Sequence, residues 1–161
     1  MPTRYTQWTA EGKAVTTKVP SISPSGITGS LDRRDIVDRE YVNAAINKKI
    51  ILDARDPAVY RGEVLEEWAQ KPGHIPSAKN LPTKSLIDSN GNYKDRQALA
   101  DLVEGVLGSN VERDTEIIVY CGVGGYAGGV WWVLNTVLGF NNVMFYDGAS
   151  QDWVRYYDFE I

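Results

Sequence analysis

The chain has 161 residues, a net charge of -4 from 21 acidic side chains against 17 Lys plus Arg, one cysteine and one histidine. That length suits one domain of roughly 100–200 residues, the lone cysteine excludes an internal disulfide, and one Cys with one His falls short of the roughly four ligands of a structural zinc site. The acidic balance, with basic residues interleaved among acids, argues against a nucleic-acid partner, and no window approaches the ~20 apolar residues that cross a bilayer, so no membrane segment is expected.

Residues 1–30 are rich in Thr, Ser, Gly and Pro, with Pro20, Pro24, Gly26 and Gly29 interrupting any long period, and read as an extended arm or linker. From Asp38, a plausible N-cap, Tyr41, Val42, Ala45 and Ile46 recur at helical spacing. Ile50, Ile51 and Leu52 form a short apolar run that suits a strand buried on both faces. Asp56 followed by Pro57 predicts a short helix to about Arg61. Residues 62–94 read as loop. A helix is then expected from about Asp95 to Leu107, and a second buried strand over Ile117 to Tyr120. After it come Cys121, Gly122, Val123, Gly124, Gly125 and Tyr126, a glycine-rich loop, and a helix from Ala127 to about Leu138 that Gly139 ends. A third strand, Val143 to Tyr146, leads to a last helix from about Ser150 to Tyr157. Strands alternating with helices predict an α/β domain with a mostly parallel central sheet flanked by helices. Ligands bind such sheets beyond the carboxyl ends of the strands, where the segments after Leu52 and Tyr120 lie.

The loop singles out Cys121. Glycines let the backbone curl so that successive N–H groups point inward, and the following helix adds the positive end of its dipole. A thiolate is an anion, and such a cradle favours it. The same cradle suits a persulfide or the anionic end of a substrate. The alternative is a small buried cysteine beside a plain turn, but three glycines within the four residues 122–125 exceed what a turn demands. A phosphate-binding loop is a poorer match, because no Lys followed by Ser or Thr closes the segment.

These residues resemble the rhodanese-type sulfurtransferases, in which a cysteine opens a six-residue loop at a strand end. Three more segments agree and keep the family's order: Leu52, Asp53, Ala54, Arg55 with Tyr60 and Gly62; Gly73 to Ala78, read G-H-I-P-S-A, with Asn80 and Pro82; and Tyr146, Asp147, Gly148 with Trp153. The resemblance spans about residues 36–157 and implies a rhodanese-like fold. It implies a Cys121 persulfide formed from a small sulfur donor such as thiosulfate, 3-mercaptopyruvate or polysulfide and passed to a thiol or cyanide acceptor. No cofactor and no metal are implied. The substrate would rest on Gly122, Val123, Gly124, Gly125 and Tyr126. Arg55 would contact the donor anion, or else form a salt bridge with Asp53 or Glu63. His74 would anchor a loop, while Asp147 and Trp153 would fix the last loop and the core. A rhodanese-fold module with little small-donor activity, binding or relaying persulfide to a protein partner, is the alternative.

The loop departs from family members that prefer thiosulfate, which tend to carry Arg or Lys within it. Here Gly122 and Val123 leave the positive field to backbone dipoles, and turnover of a dianionic donor should suffer. It is closer to the C-G-S-G-V-T loop of 3-mercaptopyruvate sulfurtransferases, with Val123 in place of the serine and Tyr126 in place of the threonine. The related phosphatase branch closes a loop one residue longer with an arginine, so phosphoryl chemistry is not expected. Trp8 to Val15, read W-x-x-E-G-x-x-V, resembles the tail that follows the last helix of such a domain. Residues 1–30 are therefore expected to be the tail of an upstream rhodanese domain plus linker, and 31–161 the catalytic domain. A lone reactive cysteine favours a reducing compartment such as the cytoplasm, with the periplasm open to a chain carrying a signal upstream.

Overall fold

The computed structural model of the protein describes residues 5–26, 28–29 and 34–161, so parts of the expected arm and of its junction with the domain lie outside the described residues. Two compact units are present, residues 1–31 and 32–161. In the first, a short helix α1 (Tyr5–Ala10) lies within the stretch expected as an extended arm or linker. It is followed by a turn at Gly12, whose φ is 70°. The Trp8 indole donates to the Ala14 carbonyl at 2.9 Å, and Lys13 lies over the Trp8 ring. These local contacts stabilise a six-residue helix that carries no buried face, which is why no apolar period announces it.

The second unit runs α2 (Arg39–Ala45), β1 (Ile50–Asp53), α3 (Pro57–Tyr60), β2 (Lys79–Asn80), a 3-10 turn (Thr83–Leu86), α4 (Arg96–Leu107), β3 (Ile117–Tyr120), α5 (Gly125–Trp132), β4 (Val143–Phe145) and α6 (Ala149–Trp153). The sheet has four strands in the order β2-β1-β3-β4, and every pairing is parallel. Three of the four are the expected strands. β2 falls in the segment that reads as loop, since two residues are too few to show a period. Asp38 caps α2 by accepting from the Tyr41 N–H at 2.8 Å, and Asp95 caps α4 through the Ala98 N–H at 2.9 Å. Asp56 makes no cap bond and pairs with Lys84 instead. A five-residue π-helical segment, Val133–Val137, continues α5 toward Gly139. The last helix ends at Trp153, short of the expected Tyr157.

Strand side chains alternate between two cores, as the pleat requires. Leu52, Ala54, Ile117, Val119 and Cys121 face the core shared with α4 and α5, where Leu99, Val103, Val130 and Leu134 pack. Ile51, Ile118 and Tyr120 face the other, with Val42 and Ala45 of α2 and Trp153 of α6. Helices thus cover both faces, and buried strands on both sides account for the unbroken apolar runs of β1 and β3. Among the described residues no helix is long and apolar enough to cross a membrane. The sheet order reverses direction at the central pair β1 and β3, which opens a crevice beyond their carboxyl ends. Cys121 follows β3 directly.

Candidate active site

The loop after β3 is held from behind by α6. The Ser150 N–H donates to the Cys121 carbonyl at 2.9 Å, and the Gln151 N–H and Ser150 hydroxyl donate to the Gly122 carbonyl, each at 3.2 Å. In a trans peptide the next N–H runs antiparallel to the carbonyl, so the Gly122 and Val123 amides point away from α6. The Gly124 N–H donates to Cys121 Sγ at 3.1 Å. Gly124 has φ 94°, and a Cβ there would lie 3.1 Å from Asp147 Oδ1, so both conformation and space call for glycine. Helix α5 starts at Gly125, two residues before the expected Ala127, because the curl of the loop merges into its first turn. Ala149, at the start of α6, takes the left-handed φ of 57°. For a residue with a side chain this costs on the order of 1–2 kcal/mol.

Cys121 is 1% exposed and lies at the floor of a cavity of about 190 Å³, lined also by Glu66, Trp68, Gly122, Val123, Gly125 and Tyr126. Val123 and Tyr126 are about half exposed and form part of the mouth. The Tyr126 carbonyl accepts from the Thr83 hydroxyl at 2.7 Å, tying the loop to the 3-10 turn. Of the expected substrate contacts, Gly122, Val123, Gly125 and Tyr126 line the cavity, and Gly124 aims its amide at the sulfur.

Arg55 lies elsewhere, beneath the site and 1% exposed. Its Nε donates to both Asp53 carboxylate oxygens at 3.0 Å, and its Nη2 donates to Asp53 Oδ2 at 2.6 Å and to the Gly73 carbonyl at 2.7 Å. Nη1 reaches Glu66 Oε2 at 3.5 Å. Burial works to lower its pKa, but the bonds with Asp53 outweigh burial and the net shift is upward. Of the two salt-bridge partners considered from sequence, Asp53 is the one engaged, while Glu63 pairs with Arg61. The Tyr120 hydroxyl donates to Asp53 at 2.7 Å and accepts from the Ile75 N–H at 3.0 Å. Burial, then the Asp53 charge, hold this phenol well above the usual tyrosine range, so it stays a donor.

His74 stacks on Tyr60 with ring centroids 3.8 Å apart and bonds the Tyr60 carbonyl through Nδ1 at 2.8 Å. Its backbone pairs with Glu160, and Trp153 donates to the Asp158 carbonyl at 3.1 Å. Both residues fasten the C-terminal segment. Trp131 and Trp132 pack against the α4–α5 core.

Sequence reasoning missed Glu66 and Trp68, which come from the segment read as loop. A Cβ on Gly122 would lie 2.5 Å from Trp68 Nε1 and 2.9 Å from Glu66 Oε2, so the two side chains rest directly on the loop backbone. Burial pushes the Glu66 carboxyl up, with Arg55 opposing that shift. No period or motif in 62–72 marks either residue. Among the described residues no group of His, Cys, Asp and Glu is gathered to hold a metal ion.

A nucleophilic side chain at a strand end, cradled by a glycine loop at the sheet's switch point, narrows the family, and comparison with known proteins decides it. The model of the rhodanese-like domain matches residues 38–156. The chain belongs to the rhodanese-like domain family. It is 31% identical to the sulfur carrier protein TtuD of Thermus thermophilus, with 91% of this chain and 55% of that protein covered. It is 29% identical, with a TM-score of 0.73, to SseA of Escherichia coli, whose structure is described as that of a 3-mercaptopyruvate sulfotransferase; 90% of this chain and 53% of that one are covered. The Tum1 protein of Saccharomyces cerevisiae is 27% identical with a TM-score of 0.64, over 76% of this chain and 44% of its own. The chain spans about half the length of these relatives.

Proposed function

We propose that this rhodanese-like chain is a sulfurtransferase working through a Cys121 persulfide. The Cys121 thiolate attacks the sulfane sulfur of thiosulfate or polysulfide, or the thiol sulfur of 3-mercaptopyruvate, whose C–S pair leaves on the pyruvate enolate. A new S–S bond forms, the bond between that sulfur and the donor breaks, and its electron pair leaves with the donor remnant. For thiosulfate the remnant is sulfite. A thiol or cyanide then attacks the outer sulfur of the persulfide, and the thiolate returns. Splitting the transfer through a covalent intermediate is nucleophilic catalysis. The observation that carries this reading is the Gly124 N–H donating to Sγ at 3.1 Å, a backbone donor set where sulfur charge develops. Gly122, Val123, Gly125 and Tyr126 then wall the donor, and Arg55 steadies that wall from below through Asp53, Gly73 and Glu66. The chain is the persulfide-carrying half of a tandem protein, with an upstream rhodanese domain as its partner. Its half-length coverage of the relatives and the Trp8 to Val15 motif support that part.

A second reading, a relay module that hands sulfur to a protein, draws support from the sulfur-carrier name of the Thermus relative. Thiocyanate production from each donor with cyanide tests the enzyme reading. Turnover that disappears in Cys121→Ser is expected. A chain that accepts sulfur but does not release it to cyanide or small thiols would favour the relay, and one that accepts sulfur from no donor would contradict both.

A further inference from the structure

The walls of the Cys121 cavity include one ionisable side chain besides the cysteine and tyrosine, and it is acidic. Glu66 lines the cavity with Cys121, and its Oε2 would lie 2.9 Å from a Cβ on Gly122. Among the described residues no Lys or Arg lines that space. The neighbouring cations are already engaged. Arg55 gives three hydrogen bonds to Asp53 and reaches Glu66 only at 3.5 Å, and Lys84, near Tyr126, pairs with Asp56. Asp147 adds a second carboxylate close to Gly124. The attraction for an anionic donor comes from the loop amides and the start of α5, and the carboxylate of Glu66 opposes it.

We infer that Glu66 is a specificity-determining residue that selects sulfur donors of low negative charge, favouring monoanions over dianions at Cys121. The inference rests on the persulfide reading of Cys121 and specifies the donor class for it. Two like charges in one pocket do not need contact to matter, because their repulsion falls only as the inverse of distance, and an apolar-walled site weakens solvent screening. Trp68, Val123 and Tyr126 supply those walls.

Thiosulfate and methanethiosulfonate form a fitting pair of probes. Each offers one terminal sulfane sulfur on a tetrahedral sulfonyl group. The first is a dianion that leaves as sulfite, the second a monoanion that leaves as methanesulfinate. In both, the thiolate forms the new S–S bond while the donor's S–S bond breaks and its pair departs with the leaving group. The chain and Glu66→Gln are compared by the ratio of kcat/KM for thiosulfate to that for methanethiosulfonate. Glutamine keeps the shape and one acceptor oxygen for Arg55 while removing the charge. The ratio is expected to rise about tenfold in Glu66→Gln, the size of one screened charge pair across a small pocket. An unmoved ratio, or equal losses with both donors, would overturn the inference. In the unmutated chain the same ratio should rise with ionic strength, more steeply than in Glu66→Gln, because salt screens the opposing charge. Equal salt slopes would also overturn it. If neither donor loads Cys121, the persulfide reading itself has failed, an outcome distinct from loading by both donors with an unchanged preference.

Discussion

Beneath Cys121 and around its mouth the chain makes opposite use of polarity. The buried charged or polar side chains among the described residues are Asp53, Arg55, His74 and Ser150, and all of them fasten segments that frame the loop. Asp53 and Arg55 join the ends of β1 and β3 to the Gly73–Ile75 turn, Ser150 holds the Gly122 carbonyl, and His74 grips Tyr60. At the mouth, Trp68, Val123 and Tyr126 stand about half exposed. The floor spends its charges on one another and positions the nucleophile. The rim carries little internal bonding and meets what arrives. An arginine near a catalytic cysteine is therefore not by itself a substrate contact, because its partners decide what charge remains for a ligand.

The contrast predicts large stability effects below and kinetic effects above. Arg55→Met should cost about 3–5 kcal/mol in urea unfolding at neutral pH, since it strands the buried Asp53 carboxylate. A cost under about 1 kcal/mol would break the floor's assignment. Tyr120→Phe removes the hydroxyl that links Asp53 to the Ile75 amide and should cost about 1–3 kcal/mol by the same measurement. At the rim, Gly122→Ala drives a methyl toward the ends of Trp68 and Glu66, and the half-exposed Trp68 can swing outward to admit it. Its melting temperature should stay close to that of the unmutated chain, while kcat/KM falls roughly tenfold, within what a small misplacement of reacting groups costs. A collapse in stability would mean that the rim is as rigid as the floor.

The smallest effect concerns pH. Burial holds the Glu66 carboxyl above its ordinary value, so the folded chain binds that proton more tightly than the unfolded chain does. Its contribution to stability is full below the ordinary carboxylate value and is lost as pH rises through the folded one. Glu66→Gln lacks this loss, so its stability relative to the unmutated chain should increase across that interval. A difference independent of pH would contradict the shift.

Much of this organisation was legible before any coordinates. β1 and β3 showed as apolar runs because both their faces are buried, and Cys121 stood out because glycines crowd the residues after it. The two-residue β2 and the short α1 carry no period, so neither showed. Glu66 and Trp68 lie in an irregular segment that reaches the loop only through the fold, and their closeness to Gly122 is a tertiary fact. The position of Arg55 at a strand end was readable, but not which way the guanidinium turns. Asp53, two residues earlier on the same chain, captures it.

On the proposed function, this loop lets Cys121 carry sulfane sulfur. Intact mass spectrometry of the chain after exposure to methanethiosulfonate, thiosulfate, 3-mercaptopyruvate or polysulfide tests it directly, since one cysteine leaves one place for the sulfur. A single added sulfur atom is expected, one that a thiol or cyanide removes and that Cys121→Ser never acquires. An unchanged mass with every donor, or an equal gain in Cys121→Ser, would contradict it.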